Sequence, residues 1–207
     1  MAAEDGRVAG LATTIIAPAG PDCWHRCTAF RFPPAPGTLW GRPHSNIFDF
    51  EATTQGAEWI DELNRAARAI MDHGAGQLLL GHVDWSAKHI RYLGQRAHVV
   101  YDWDSLNLNK EPVLVAHAAM TFTYIPFLPD VADSPTREES LAFIADYEVA
   151  RGSAFSAAER QTLGAAMTST MAYGARCEHS LAPTERNYPA GSRRAILAHY
   201  KNGFLHA

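Results

Sequence analysis

The sequence predicts an α+β fold in which a small block of β-hairpin structure interrupts a mostly helical chain. Apolar residues recur at helical spacing after residue 54, and short strand-like segments follow between residues 77 and 101. Helix-start signals then occur at Ser134-Pro135 and at Ser156. Because helical and strand-like segments are segregated along the chain instead of alternating, they indicate α+β structure.

The composition limits the classes of protein to which the chain can belong. Its 207 residues, 47% of them hydrophobic, predict one globular domain with its own core. A net charge of −4 argues against binding nucleic acid through phosphate contacts. Three cysteines leave an odd thiol, so we expect a reducing, cytoplasmic setting. The most hydrophobic run, residues 113–128, is too short for a bilayer and predicts a buried helix, with no membrane partner.

The first half of the chain predicts one long helix after an irregular start. Residues 1–40 are rich in Ala, Gly and Pro without a sustained period, which predicts an irregular segment or linker before a domain at 41–207. A helix is predicted over residues 54–71, ending at Gly74 and Gly76. Its apolar face consists of Trp59, Ile60, Leu63, Ala66, Ala67 and Ile70.

A compact β-rich block is predicted next. Residues 77–81 have the pattern of a buried strand, and residues 89–93 and 97–101 that of a hairpin. Gly94-Gln95 is a dipeptide suited to the hairpin turn. Residues 83–88 are then a loop between strand ends.

Beyond Asp104 the sequence predicts helices to its end. The first covers residues 112–124, and the second begins with Ser134 as N-cap and Pro135 as first helical residue and ends at residue 151. Ser156 and Glu159 have capping-box spacing and predict a third helix reaching about residue 180. A short last helix covers residues 192–200.

Reactive side chains are concentrated between residues 82 and 104. His82, Asp84 and His89 lie on the loop and at the start of the hairpin, and Asp102 and Asp104 follow its return strand. Carboxylates that converge in this way repel one another unless a divalent cation or a proton lies between them. Hard oxygen ligands favour Mg²⁺.

This segment resembles the catalytic loop of the aminoglycoside phosphotransferase and choline kinase family, relatives of the protein kinases. The family pattern is His-x-Asp-x-x-x-x-Asn, a short hairpin, and then Asp-Trp-[Asp/Glu]. The chain has His82-Val83-Asp84, His89 at the asparagine position, and Asp102-Trp103-Asp104 after the hairpin. The resemblance covers about residues 40–200. It implies a kinase-like C-terminal lobe that uses ATP and Mg²⁺ to phosphorylate a hydroxyl group of a small molecule.

The resemblance also implies a role for each residue of the motif. Asp84 would orient the acceptor hydroxyl and accept its proton. Asp102 would bind Mg²⁺, Asp104 would assist the metal or fix the loop, and His82 would support the loop by hydrogen bonds. Lys88 would either contact phosphate or remain solvated.

His89 departs from the family pattern, in which an asparagine oxygen contacts the metal. Imidazole nitrogen is a poor ligand for Mg²⁺ and a better one for Mn²⁺ or Zn²⁺. Either His89 binds such a metal, or it hydrogen-bonds Asp84 or phosphate while Mg²⁺ relies on Asp102.

Parts of a complete kinase of this type are missing from the sequence. No Gly-x-Gly-x-x-Gly occurs in residues 1–40, and the first lysine is Lys88, so the N-terminal lobe is expected to be largely absent. A truncated gene product, a late start codon or a degenerate relative would each explain this. Two alternatives stay open: a non-catalytic remnant, which folds alone or with another chain, and a divalent-metal hydrolase using His82, Asp84, His89, Asp102 and Asp104.

Several other residues have weaker functional interpretations. An acidic cleft would suit an aminoglycoside, an amino alcohol or another polar metabolite as acceptor, and Glu138, Glu139 and Glu159 are candidates to border a cleft for a cationic one. Packing is the favoured role of Trp85 and Trp103. His44 could line the cleft, and Cys177 is expected in the core. A zinc site is only weakly indicated by Cys23, His25 and Cys27.

Overall fold

The structure, a computed structural model, describes residues 16–18, 38–41, 43–125 and 134–201. Its strands are β1 (Ile16–Pro18), β2 (Leu78–His82), β3 (Ile90–Leu93), β4 (Arg96–Val100) and β5 (Leu106–Lys110). Its helices are α1 (Glu58–His73), α2 (Glu111–Thr121), α3 (Arg137–Arg151), α4 (Ala157–Leu181) and α5 (Arg193–Tyr200). The predicted α+β architecture is confirmed.

Helix α4 is the centre of the helical part, because α1, α2 and α5 all pack against it. Its side chains Met167 and Ala172 are fully buried in one core with Ile60 of α1, Val115 of α2 and Leu197 of α5. Helix α2 is buried on most of its surface, which accounts for the hydrophobic run in the sequence. Among the described residues, no helix has the length and apolar character needed to cross a membrane.

Two small antiparallel sheets form the β block. Strand β2 is the middle strand of the larger sheet and pairs with β1 on one side and β5 on the other. Strands β3 and β4 form the predicted hairpin. Gly94 begins its turn with a φ of 62°, a left-handed conformation that glycine adopts at little cost. The hairpin therefore returns the chain to the end of β2, where the motif begins.

The prediction that the chain is helical after Asp104 is wrong for residues 106–110. These residues form β5, which pairs with β2 in a register that places Leu108 opposite Leu80. The segment Leu-Asn-Leu-Asn-Lys alternates apolar and polar side chains, as a strand with one buried face does. Its asparagines have low strand propensity, which concealed the alternation.

The predicted helix starts are confirmed at Ser156 and Ser192 but not at Ser134. Ser156 forms a capping box with Glu159 at the start of α4, and Ser192 caps α5. The N-cap of α3 is Thr136 instead of Ser134, because Thr136 has the capping-box partner Glu139 three residues later. Ser134 is buried and accepts a hydrogen bond from Arg193. Helix α1 begins four residues later than predicted, and α2 ends at Thr121.

Candidate functional site

His82 joins the end of β2 to the chain that follows β4. Its side chain is fully buried, Nδ1 accepts a hydrogen bond from the backbone N–H of Asp84 at 3.2 Å, and Nε2 donates to the carbonyl of Tyr101 at 3.1 Å. These two bonds require the neutral ring with its proton on Nε2. Burial lowers the pKa of His82, which favours the same neutral form. His82 therefore connects the loop that carries Asp84 to Tyr101, which directly follows β4.

Asp102 lies two residues after the end of β4 and has an unusual backbone conformation. Its φ of 64° and ψ of 41° are left-handed, a region that aspartate tolerates better than most residues. The Ser105 hydroxyl donates to Asp102 Oδ2 at 2.8 Å. This bond, together with one involving Asp104, lowers the pKa of Asp102. The Asp102 carboxylate is therefore held in its charged form.

Three predicted site residues meet in one cluster. Ligand atoms of Asp84, His89 and Asp102 all lie within 4.8 Å of one another. His89 Nε2 is 3.2 Å from Asp84 Oδ2 and 3.8 Å from Asp102 Oδ2, so the ring edge lies between the two carboxylates. Two oxygens and one nitrogen at this spacing can hold a divalent cation. Asp104 is exposed and lies outside this three-residue group.

Lys88 also contacts Asp84. Its ammonium nitrogen lies 2.9 Å from Asp84 Oδ2 and 5.0 Å from the ring centre of Tyr124. The lysine is thus partly buried, and its charge is fixed beside the carboxylate that the motif assigns to acceptor activation.

A cavity of about 360 Å³ opens next to Asp84. Val83, Asp84 and Lys88 form one part of its wall. The rest comes from His44 and Phe48, from α2 and the following Tyr124, from α4, and from Ser134 and Arg193. His44 and Tyr173 both line the cavity, and His44 Nδ1 lies 2.8 Å from the Tyr173 hydroxyl. Asp84 therefore belongs both to the candidate metal cluster and to the wall of a ligand-sized cavity.

Most of this cavity could not be predicted from the sequence. Tyr124, Tyr173 and Arg193 line it, and their residue types carry no local signal of a site. His44 was named only as a loop histidine that could line a cleft. The cavity wall is assembled from distant parts of the chain, so only the tertiary structure could identify it.

The acidic residues proposed for a cationic acceptor lie elsewhere. Glu159 is the capping-box partner of Ser156 at the start of α4, and its carboxylate lies 3.2 Å from Arg151. Glu139 is the capping-box partner of Thr136 at the start of α3 and borders a second cavity, of about 380 Å³, whose wall includes Trp85 and Phe143. Glu138, Glu139 and Glu159 are not among the residues that line the cavity beside Asp84.

The structure also shows the surroundings of the remaining candidates Trp85, Trp103 and Cys177. Trp85 is 3% exposed and packs in the core, as predicted, whereas Trp103 is 49% exposed and donates from its ring nitrogen to the carbonyl of Val100. Cys177 is buried, also as predicted, and burial raises the pKa of its thiol to about 11. Cys23, His25 and Cys27 lie outside the described residues.

Comparison with known proteins adds no assignment. No protein-family model matches the chain, and no curated protein matches it significantly. The function must therefore be argued from the geometry of the cluster and the cavity.

Proposed function

We propose that this chain carries the phosphoryl-transfer site of an aminoglycoside phosphotransferase-like kinase, which uses ATP to phosphorylate a hydroxyl group of a small molecule. The observation that supports this best is the double position of Asp84, between a three-residue ion-binding cluster and a cavity of about 360 Å³. A kinase needs this juxtaposition, because its base must reach the acceptor in one direction and the phosphate-bound metal in the other.

Asp84 acts on the acceptor in this proposal. Its carboxylate accepts the hydroxyl proton while the acceptor oxygen bonds to the terminal phosphorus of ATP. The bond between that phosphorus and the oxygen of ADP breaks, and ADP leaves with the bonding electron pair. His82 positions Asp84, since its Nδ1 is hydrogen-bonded to the Asp84 backbone.

Asp102 and His89 would hold the divalent ion, Mg²⁺ or Mn²⁺. When bound, the ion neutralises charge on the nucleotide phosphates. Lys88 lies on the cavity side of Asp84, where its ammonium group can stabilise the charge that develops on the transferred phosphoryl group. We therefore assign binding of the metal–nucleotide complex to one side of Asp84 and binding of the acceptor to the other.

Two other functions fit the same residues less well. A metal-dependent hydrolase would need further ligands, and His82, the nearest additional imidazole, already uses both ring nitrogens in hydrogen bonds. A non-catalytic remnant would not require the carboxylates of Asp84 and Asp102 to lie close to His89. It nonetheless agrees with the absence of any lysine before Lys88 in the sequence.

Calorimetric titration of Mn²⁺ in the presence of a non-hydrolysable ATP analogue tests the proposal without requiring turnover. The native chain should bind the metal–nucleotide complex, and Asp102→Asn should bind it at least about 10-fold more weakly because a charged ligand is lost. Asp72→Asn is the matched control, because Asp72 is an exposed carboxylate on α1.

The outcomes separate the three functions. Binding lost in Asp102→Asn and kept in Asp72→Asn supports the kinase site. Mn²⁺ binding that is indifferent to nucleotide contradicts it and favours a hydrolase. Equal or no metal–nucleotide binding in all three proteins contradicts it and favours the remnant.

A further inference from the structure

The cavity beside Asp84 has an unusual wall for an acceptor with several positive charges. Apart from Val83, its apolar side chains are aromatic or contain sulfur, and they belong to Phe48, Met120, Tyr124, Met171, Tyr173 and Cys177. His44 contacts two of these rings in a tilted geometry, with ring centres 5.0 Å from that of Phe48 and 5.8 Å from that of Tyr173. Such a wall favours a flat apolar group over a polyhydroxylated sugar.

The charges at the cavity lead to the same conclusion. Lys88 and Arg193 both approach the ring of Tyr124, at 5.0 and 5.9 Å from its centre. Among the described residues that line the cavity, Asp84 is the sole carboxylate, and Lys88 is already paired with it at 2.9 Å. An ammonium group in this cavity would face two cations while competing with Lys88 for one carboxylate.

Contacts with α4 and with Ser134 fix the position of the Arg193 side chain beside the cavity. Gly174 on α4 faces the Arg193 side chain so closely that a Cβ atom there would lie 2.0 Å from Arg193 Cδ. The Arg193 side chain therefore crosses α4 in direct contact with its backbone, and Arg193 Nε donates to Ser134 at 3.2 Å. These contacts hold the guanidinium group at the cavity.

We propose that the acceptor is an alcohol with an aromatic or similarly flat apolar body and without an ammonium group. This inference rests on the proposed function for the role of Asp84 toward the hydroxyl group. It replaces the aminoglycoside or amino alcohol that the sequence suggested. The cavity volume of about 360 Å³ suits a single-ring compound.

Three probes that differ in charge and shape test the inference. Phenylpropanediol is a neutral aromatic alcohol, phenylalaninol replaces one hydroxyl of that compound by an ammonium group, and deoxystreptamine is the cationic aminocyclitol core of aminoglycosides. Their binding to the full chain is measured by calorimetry without nucleotide or metal. We expect the diol to bind at least about 10-fold more tightly than phenylalaninol, and deoxystreptamine to show no saturable binding.

Two matched variants locate the binding site on α4. Thr170 lines the cavity, whereas Gln161 is exposed near the start of the same helix. Thr170→Phe should fill the cavity and weaken binding of the diol at least about 10-fold, and Gln161→Phe should leave it unchanged. If Thr170→Phe does not fold, methyl-labelled methionine gives a second measurement on the native chain. The diol should then shift the methyl signals of Met120 and Met171, which line the cavity, and leave that of Met71 unchanged.

Deoxystreptamine or phenylalaninol binding as tightly as the diol would overturn the inference. So would diol binding that is unaffected by Thr170→Phe, or that leaves Met120 and Met171 unshifted. Because these measurements contain no nucleotide or metal, they are independent of the metal–nucleotide test. Aromatic-alcohol binding in a chain that fails that test would keep the cavity assignment and remove the kinase function.

Discussion

Asp102 shows how single residues are constrained at the candidate site. A left-handed conformation at a residue other than glycine costs about 1 kcal/mol or more, and here it turns the carboxylate toward His89 and Asp84. The hydrogen bond from Ser105 lowers the pKa of Asp102 and fixes the side chain. The local strain is thus associated with placing a charged ligand at the cluster.

We expect His89 to decide which metal the candidate cluster prefers. Its Nε2 lies between the two carboxylates, so a bound ion would meet nitrogen as well as oxygen. We expect the native chain with nucleotide to bind Mn²⁺ more tightly than Mg²⁺, because nitrogen is a poor ligand for Mg²⁺. His89→Asn should shift the ratio of the two affinities toward Mg²⁺ in calorimetric titrations.

His98→Asn is the control for this prediction, since His98 is exposed on β4. An unchanged Mn²⁺ to Mg²⁺ ratio in His89→Asn would show that His89 only hydrogen-bonds the loop.

At the scale of elements, the hydrogen bonds of a helix cap lead us to a prediction about stability. Ser156 accepts a hydrogen bond from the backbone of Glu159, and the Glu159 carboxylate in return accepts one from the Ser156 backbone. Ser156→Ala should lower the free energy of unfolding by about 1 kcal/mol. Ser153→Ala, three residues earlier and exposed, should change it by less than about 0.5 kcal/mol. Urea unfolding of both variants measures the difference, and equal stabilities would contradict the capping role.

The elements that the sequence predicted correctly have local causes. The caps at Ser156 and Ser192 and the glycine turn at Gly94 are set by residues within a few positions of one another. Strand β5 was missed because its pairing with β2 joins residues about 28 apart, and its own propensity is weak. The burial of a polar residue such as Asn64 was missed for the same reason, since its partner Ser169 lies 105 residues away.

The candidate site likewise has one part that local sequence patterns predict and one part that they do not. Asp84, His89 and Asp102 were predicted together because the loop and the hairpin bring them close through short connections. The cavity joins residues 44–48 to α2, α4 and the start of α5, and no pattern in the sequence relates these segments. The cluster of candidate site residues was therefore predictable here, whereas the wall of the cavity was not.

At the scale of the whole molecule, buried histidines link stability to pH. His179 on α4 is fully buried, and Nε2 donates to the carbonyl of Gln55, which ties the segment before α1 to the core. Burial, and then the neighbouring Arg176 and Arg194, lower the pKa of His179 below its ordinary value. The unfolded chain therefore takes up a proton at higher pH than the native chain does, so stability is lost as pH falls below about 6.5.

We expect urea unfolding to show lower stability at pH 5.5 than at pH 7.5 in the native chain. The decrease should be smaller in His179→Gln, because glutamine can donate to Gln55 without titrating. His73→Gln, a change at an exposed position on α1, is the control and should keep the native dependence. A decrease of equal size in all three proteins would contradict the assignment to His179.

The sequence also limits the activity of these 207 residues. It contains no Gly-x-Gly-x-x-Gly and no lysine before Lys88, so the glycine-rich loop and strand lysine of such kinases have no counterpart in this sequence. Positioning and charge stabilisation supply nearly all catalysis in phosphoryl transfer. We expect the purified chain to show no more than trace transfer from Mg·ATP to an aromatic alcohol in a radiolabel assay. Robust transfer that is lost in Asp84→Asn would show that residues 1–40 contribute more than we infer.

The position of a bound Mn²⁺ ion tests the central claim most directly. Crystals of the chain soaked with Mn²⁺ and a non-hydrolysable ATP analogue give its position from anomalous scattering. The account predicts one strong peak among Asp84, His89 and Asp102, within about 2.5 Å of an Asp102 carboxylate oxygen and next to the nucleotide phosphates. A peak elsewhere on the chain, or ordered nucleotide with no peak at this cluster, would contradict it.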